Sequence, residues 1–197
     1  MGACDNHARM KKLPVLLFVL LAACSRGEVQ PGLTEISGVM PSLSFHLTRA
    51  NDGTAVTPDS YRGKVVALYF GYTHCPDECP TTLASFAKVL HDLQGRASNV
   101  RVLFVTVDPA RDTSPVLKAY IHSFAPQIDG LRGSADQTAA TARRYRVLYR
   151  VTPPSAGKDA EVMHSDSVFF FDRDGRARFV STDTSAEAIR KPLADLL

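Results

Sequence analysis

Two continuous apolar runs mark the centre of the folded part of this chain. Residues 65–70 read VVALYF, and residues 101–107 read RVLFVTV. Uninterrupted runs of this length are typical of strands that are buried on both faces of a sheet. Between them, apolar residues recur at helical spacing from Pro80 to Leu93, and Gly95 follows where a helix would stop. The pattern predicts a strand, a covering helix and a second strand.

The flanking segments predict a layered α/β fold. Alternating residues 43–47, the turn at 51–53 and Ala55-Val56 predict an opening β-hairpin. Helices are predicted from Asp112 to about 124, from Asp136 to about 144, and over 184–197. Strands at 167–171 and 177–180 are predicted to join across Asp174-Gly175. A central mixed sheet covered by helices on both faces, as in thioredoxin-like proteins, is the expected fold.

The first 24 residues have the layout of an export signal. Lys11-Lys12 precede an apolar stretch at 13–21, which is shorter than the roughly 20 residues that span a bilayer. Leu21-Ala22-Ala23-Cys24 resembles a bacterial lipobox, which implies that Cys24 is lipidated after cleavage. An ordinary signal peptide with an incidental cysteine is the alternative. Met10 heads a more compact leader than Met1 and is the alternative start.

The domain organisation follows from this leader. Residues 1–24 are predicted to be a lipoprotein signal peptide, residues 25–40 a flexible polar tether, and residues 41–197 one folded domain. The domain is expected outside the cytosol, on a membrane and facing the periplasm, where disulfides form. Removing the leader leaves 20 basic and 19 acidic residues from the 23 and 20 of the whole chain. That balance argues against nucleic acid as a partner.

Cys75 and Cys79 lie in the segment YFGYTHCPDECP, after the first central strand and before its helix. Ligand and redox sites in open α/β sheets occur at such strand ends, and a helix N-terminus there favours thiolate. Each cysteine precedes a proline, which predicts a rigid turn outside the helix. A structural disulfide would close too small a loop to stabilise much. A dithiol oxidoreductase would have one residue more than Cys-x-x-Cys. A metal site would suit Cu(I), or Cu(II) with an added imidazole.

His164 is the best candidate for that third ligand. It stands directly before the strand at 167–171, after a long polar connection at 152–161, and this position faces the first helix in a thioredoxin-like sheet. His74 adjoins Cys75 and would reach the same ion only with strain. The other four histidines lie in the leader, the opening hairpin or predicted helices: His7, His46, His91 and His122.

Three segments together resemble the Sco/SenC family of copper chaperones for cytochrome c oxidase assembly. They are YFGYTHCPDECP, VTVDPARDTSPVLKAY and HSDSVFFFDRDG, and the resemblance extends from about Leu43 to the C-terminus. It implies a thioredoxin-like fold, a membrane-anchored domain, and Cys75, Cys79 and His164 as copper ligands. It also implies delivery of copper to the CuA site of oxidase subunit II. A periplasmic copper donor or a thiol reductase is a further candidate partner.

Some residues depart from the family pattern or extend it. Met163 stands where the family often has an acidic residue, and Glu78 where an aliphatic one is common. Asp108, with Arg111 and Asp112, matches the family's DPxRDT segment and is predicted to orient the site from behind the ligands. Loop chemistry and helix capping are the alternative roles for these three residues.

The sequence therefore predicts a copper-binding metallochaperone rather than an enzyme. The main alternative is a thiol-disulfide reductase that acts on cysteines of an exported copper protein and uses Cys75 and Cys79 as a redox disulfide. A peroxiredoxin-like peroxidase is disfavoured because its Pro-x-x-x-Thr-x-x-Cys motif is absent. A purely structural interaction domain is the remaining alternative.

Overall fold

The computed structural model describes Gly2 and residues 30–152 and 160–197. The predicted signal peptide except Gly2, the predicted lipidation site Cys24, His7 and the start of the predicted tether lie outside these residues. The described strands are β1 (Leu33–Glu35), β2 (Leu47–Arg49), β3 (Ala55–Val56), β4 (Val65–Gly71), β5 (Val100–Thr106), β6 (Ile128–Arg132), β7 (Tyr149–Thr152), β8 (Glu161–His164), β9 (Val168–Phe171) and β10 (Ala177–Ser181). The α-helices are α1 (Glu78–Leu93), α2 (Ser114–His122), α3 (Ala135–Arg144) and α4 (Ala186–Leu196).

An eight-stranded mixed sheet runs in the order β1-β10-β9-β4-β5-β6-β2-β3. Strands β4, β5 and β6 are mutually parallel. On the other side of β4, β9 pairs antiparallel with β4, and β10 pairs antiparallel with β9. All residues of β4 are buried, as its continuous apolar run predicted. The four helices flank this sheet, so the predicted thioredoxin-like α/β fold is confirmed.

The opening hairpin is confirmed, because β2 pairs antiparallel with β3 across the turn at residues 51–53. It joins the sheet at the edge of β6, a strand that the sequence pattern did not reveal. Gly130 in β6 leaves room for α2, because a Cβ at this position would lie 2.7 Å from the Leu117 side chain. Beyond β5, the sheet therefore continues through β6 to the two hairpin strands, β2 and β3.

The predicted tether is too long at its C-terminal end. Leu33–Glu35 forms β1 and pairs antiparallel with β10, and Ile36 is buried in the core. The polar composition of the segment hid this strand, because an edge strand needs backbone partners more than apolar side chains. The sheet thus includes residues that the sequence pattern assigns to the tether.

Two predicted helix caps are also corrected. The cap of α3 is Ser134, whose Oγ accepts from the Gln137 N–H at 3.2 Å, and Asp136 instead lies in the first turn. The cap position of α2 is Thr113, and Asp112 lies one residue earlier. Within the described residues, none of the helices combines the length and the apolar character that crossing a membrane requires.

Candidate metal centre

The structure brings Cys75, Cys79 and His164 together. Cys75 lies in the loop after β4, Cys79 is the second residue of α1, and His164 ends β8. Their ligand atoms all lie within 4.8 Å of one another. His164 Nε2 is 3.4 Å from Cys79 Sγ, and the Cys79 backbone N–H donates to Cys75 Sγ at 3.4 Å. Among the described residues, no other group of histidines, cysteines and carboxylates is gathered in this way.

This donor set fits a soft metal ion. With metal–sulfur bonds of about 2.3 Å and metal–nitrogen bonds of about 2.0 Å, the ligand atoms around one ion lie roughly 3.5 to 4.3 Å apart. The observed separations reach this range with small side-chain adjustments. Both cysteines are free thiols in the structure, and two sulfur ligands with one imidazole suit copper in either common oxidation state.

Cys79 belongs to a helix, which the sequence analysis did not expect. α1 begins at Glu78, and Pro80 occupies its first turn. Proline is tolerated there because the first N–H groups of a helix have no partner within the helix. The predicted rigid turn therefore contains Cys75 but not Cys79. The thiol of Cys79 points from the start of α1 toward the end of β4.

Gly71 at the end of β4 makes room for this thiol. A Cβ at position 71 would lie 2.8 Å from Cys79 Sγ and 2.6 Å from the Phe104 ring. Such distances are shorter than real Cβ contacts, so any larger residue would push the sulfur or the ring aside. The absence of a side chain at Gly71 thus allows Cys79 to pack directly against the strand.

Burial dominates the electrostatics of Cys79. The residue is fully buried, and this burial raises the pKa of its thiol to about 12. The Tyr69 hydroxyl, which donates to Cys79 Sγ at 3.7 Å, acts in the opposite direction but does not compensate. At Cys79 the cost of burial therefore outweighs the expected preference of a helix N-terminus for thiolate. Its thiol therefore keeps its proton at neutral pH, and a metal ion would have to displace that proton in order to bind the sulfur.

His164 is held between aromatic rings with one nitrogen turned to the cysteines. Its side chain is only 5% exposed, and its ring meets the Tyr72 ring edge-on at 5.8 Å and the Tyr69 ring at 6.2 Å. Nδ1 lies 3.2 Å from the Ser165 carbonyl oxygen and 3.6 Å from an Asp166 carboxylate oxygen. A proton on Nδ1 can be donated to Ser165, which leaves the Nε2 lone pair free for a metal.

Asp112 is a site residue whose role the sequence analysis did not predict. Its buried carboxylate accepts hydrogen bonds from the Thr73 N–H at 3.0 Å, the Thr73 hydroxyl at 2.6 Å and the Thr106 hydroxyl at 2.5 Å. It therefore ties the cysteine loop to the end of β5 instead of capping α2. Asp112 immediately precedes Thr113, the cap residue of α2. Its place in the sequence therefore also suited a role at the helix start and did not distinguish the two roles.

Asp108 contacts Arg111 rather than a ligand. Its carboxylate, which is 3% exposed, accepts from Arg111 Nε, and the guanidinium lies over the Tyr72 ring with its carbon 5.9 Å from the ring centre. Tyr72 in turn contacts His164. Asp108 does not contact the His164 imidazole, because the side chains of Arg111 and Tyr72 lie between them. Any effect of Asp108 on the ligands therefore passes through these two side chains.

An open groove of about 440 Å³ borders two of the three candidate ligands, Cys75 and His164. Its walls include the two residues that depart from the family pattern, Glu78 and Met163, and Met163 is 63% exposed. The described histidines other than His164 lie outside the cluster and are exposed, in agreement with the sequence analysis: His46, His74, His91 and His122.

The fold and this cluster define a thioredoxin-like domain with a candidate soft-metal centre at the end of its central strand. The SCO1/SenC family model matches residues 40–197, and the chain belongs to that family.

Individual relatives agree with this assignment. Protein SCO2 homolog, mitochondrial, from Bos taurus is 38% identical over 143 residues, which cover 68% of this chain and 53% of the relative. ScoI from Bradyrhizobium japonicum, solved with copper bound, is 37% identical with a TM-score of 0.71, covering 79% of this chain and 99% of that one. Arabidopsis thaliana ScoI, also solved with copper bound, is 31% identical with a TM-score of 0.70, covering 78% and 96%. The matches to three mammalian SCO2 homologs span only 53% to 59% of those proteins.

Proposed function

We propose that this protein binds one copper ion through Cys75, Cys79 and His164 and delivers it to the CuA site of cytochrome c oxidase subunit II during assembly. The observation that carries the proposal is the convergence of two sulfurs and one imidazole nitrogen within 4.8 Å. Copper in the solved ScoI structures from Bradyrhizobium japonicum and Arabidopsis thaliana supports the choice of metal. Zinc would accept the same ligands, but it would need a fourth ligand to complete its tetrahedron.

The unequal exposure of the ligands suits transfer by ligand exchange. Cys79 is fully buried, whereas Cys75 is partly exposed and borders the open groove. Ligands of an acceptor can therefore approach copper from the side of Cys75 while Cys79 and His164 still hold the ion. The two thiolates are sufficient for Cu(I), and the imidazole adds the harder ligand that Cu(II) requires.

The proposed location follows from the leader. Cleavage before Cys24 and its lipidation would leave the domain attached to a membrane on the periplasmic side. The linker from residue 25 to 32 would span at most about 28 Å when fully extended. This short reach would keep the domain near membrane-embedded oxidase, and a periplasmic copper donor or a thiol reductase would load or reduce the site. Mass spectrometry of the purified protein would detect diacylglycerol on Cys24, and an unmodified N-terminus would contradict the anchor.

The binding site is tested by anaerobic titration with Cu(I) and, separately, Cu(II). We expect one copper per reduced chain and none in protein whose Cys75 and Cys79 are oxidised to a disulfide. Cys75→Ser should lose stoichiometric binding, whereas His91→Ala, which changes an exposed histidine on α1, should bind like the original protein. Equal stoichiometry in the reduced, oxidised and Cys75→Ser forms would contradict the proposal. Delivery is then tested by transfer of the bound copper to a soluble domain of subunit II.

A thiol-disulfide reductase is the second candidate, and the different exposure of the two cysteines favours it. Partly exposed Cys75 would attack a partner's disulfide as a thiolate and form a mixed disulfide, which releases one partner thiolate. Cys79 would then lose its proton and attack Cys75, so that the second partner thiol leaves reduced and Cys75–Cys79 is oxidised. Cys79→Ser should accumulate the mixed disulfide, and His164→Ala should leave this reaction intact. Failure to trap any partner would contradict this role.

A further inference from the structure

The hairpin that carries His164 is separate from the main sheet. We call β7 and β8 the histidine hairpin, comprising Tyr149–Thr152 and Glu161–His164. These strands pair only with each other, and among the described strands neither shares a backbone ladder with the eight-stranded sheet. His164 is therefore positioned by the short connection to β9, which begins at Val168, and by contacts between the histidine hairpin and the body of the domain. Buried Val162 provides one such contact.

Arg111 provides a second contact and reaches both halves of the metal centre. Its Nη1 donates to the Ala160 carbonyl oxygen at 3.1 Å, immediately before β8. Its guanidinium also lies over the ring of Tyr72, which stands three positions before Cys75 and contacts the His164 ring. One planar cation thus touches the strand that leads to the histidine and the loop that carries the first cysteine.

The base from which Arg111 projects is well anchored. Asp108 accepts from Arg111 Nε, and its own N–H donates to the Thr106 hydroxyl at 3.0 Å. The Asp112 N–H donates to the Asp108 carbonyl oxygen at 2.9 Å, which closes the turn around Arg111. Because Asp108 is nearly fully buried, the guanidinium is held in one orientation. A lysine could not form the same three contacts, because it lacks the planar fork of donors.

We propose that Arg111 is a positioning residue that holds the histidine hairpin closed over the cysteines. This inference rests on the proposed function, because the position of His164 matters for copper binding. The contacts of Arg111 with the hairpin are also present in the protein without metal. With Arg111 in place, His164 covers Cys79 and its Nε2 faces the sulfur. Without it, the hairpin opens more often, and the two cysteines remain while the third ligand withdraws. Arg111 thereby determines whether copper is held by two ligands or by three.

The first test uses reduced, copper-free protein. We expect Arg111→Gln to increase the rate at which iodoacetamide alkylates Cys79 by on the order of tenfold, measured by peptide mass spectrometry, because a charge-assisted hydrogen bond to the hairpin is lost. Arg190→Gln is the matched control, since this arginine pairs with Asp92 far from the site. Asp108→Asn keeps Arg111 but weakens its ion pair, so it should also increase the alkylation rate of Cys79, by a smaller factor. Unchanged rates in both site variants would overturn the proposal.

The second test uses copper. In Arg111→Gln we expect one Cu(I) per chain, as in the original protein, but a weaker nitrogen hyperfine signal in the electron paramagnetic resonance spectrum of the Cu(II) form. A merely structural role would lower the unfolding temperature without changing this nitrogen signal, and that result would overturn the proposal. Failure of the original protein to bind copper would instead contradict the proposed function, and the alkylation rates would still decide whether Arg111 closes the hairpin.

Discussion

The imidazole Nε2 of His164 lies 3.4 Å from the Sγ of Cys79, although 85 positions separate the two residues in the chain. One residue comes from the first turn of a helix, and the other comes from a hairpin outside the main sheet. Their contact turns a pair of cysteines into a candidate three-ligand centre, to which each part makes a testable contribution.

Removing the imidazole should affect the two oxidation states of copper differently. In His164→Ala we expect Cu(II) affinity to fall more than about 100-fold, because an inner ligand is lost, while Cu(I) remains bound by the two thiolates. Competition titrations with a chelator for each oxidation state measure both affinities. The exposed His91 gives the control variant His91→Ala. An equal loss for Cu(I) and Cu(II) would show that His164 acts through the fold rather than as a ligand.

Copper affinity should rise with pH. Burial raises the pKa of Cys79 to about 12, so below that pH copper must displace a proton from this thiol. Each unit of pH removes a tenfold excess of competing protons, so Cys79 alone should raise the apparent affinity about tenfold per unit between about pH 6 and 8. Competition against a Cu(I) chelator of known pH dependence measures the slope. A flat profile would mean that copper does not displace the Cys79 proton.

The buried carboxylate of Asp112 should stabilise both the fold and the cysteine loop. Asp112→Ala removes the acceptor of three hydrogen bonds and leaves the Thr73 and Thr106 donors without their partner. We expect a loss of at least about 2 kcal/mol in the free energy of unfolding, measured by urea denaturation, together with weaker copper binding. Asp136→Ala, at an exposed position in α3, is the control. Equal stability of the two variants would contradict the role of Asp112.

Gly71 should tolerate no side chain. In Gly71→Ala the new Cβ would meet Cys79 Sγ at 2.8 Å and the Phe104 ring at 2.6 Å. We expect a loss of about 1 to 3 kcal/mol in the free energy of unfolding and a lower copper affinity, because the buried sulfur must move. Gly95→Ala is the matched control, since a Cβ there meets nothing within 4 Å. Wild-type copper affinity in Gly71→Ala would show that the site adjusts freely to a displaced sulfur.

Several elements could not be predicted because their sequences lack a periodic apolar pattern. β6 reads IDGLR and is a strand because β5 pairs with it on one side and β2 on the other. β1 is short and polar, and it is ordered by its backbone ladder with β10. The histidine hairpin was predicted as a polar connection, since only Val162 and His164 of β8 turn toward the body of the domain. In each case, a tertiary partner supplies the hydrogen bonds that decide the conformation.

The sequence by itself determined the buried strands β4 and β5, the helix that follows the cysteines, and the identity of the three candidate ligands. The strands, the helix and the cysteine segment are local features: continuous apolar runs, helical spacing and a short motif between a strand and a helix. His164 was identified from its place before a late strand and from the family resemblance. Tertiary structure alone decided that His164 reaches Cys79, that Cys79 is buried with a raised pKa, and that Asp112 and Arg111 contact the segments around the candidate site. These features depend on residues that are distant in the chain and become neighbours only when the sheet, its flanking helices and the histidine hairpin pack together.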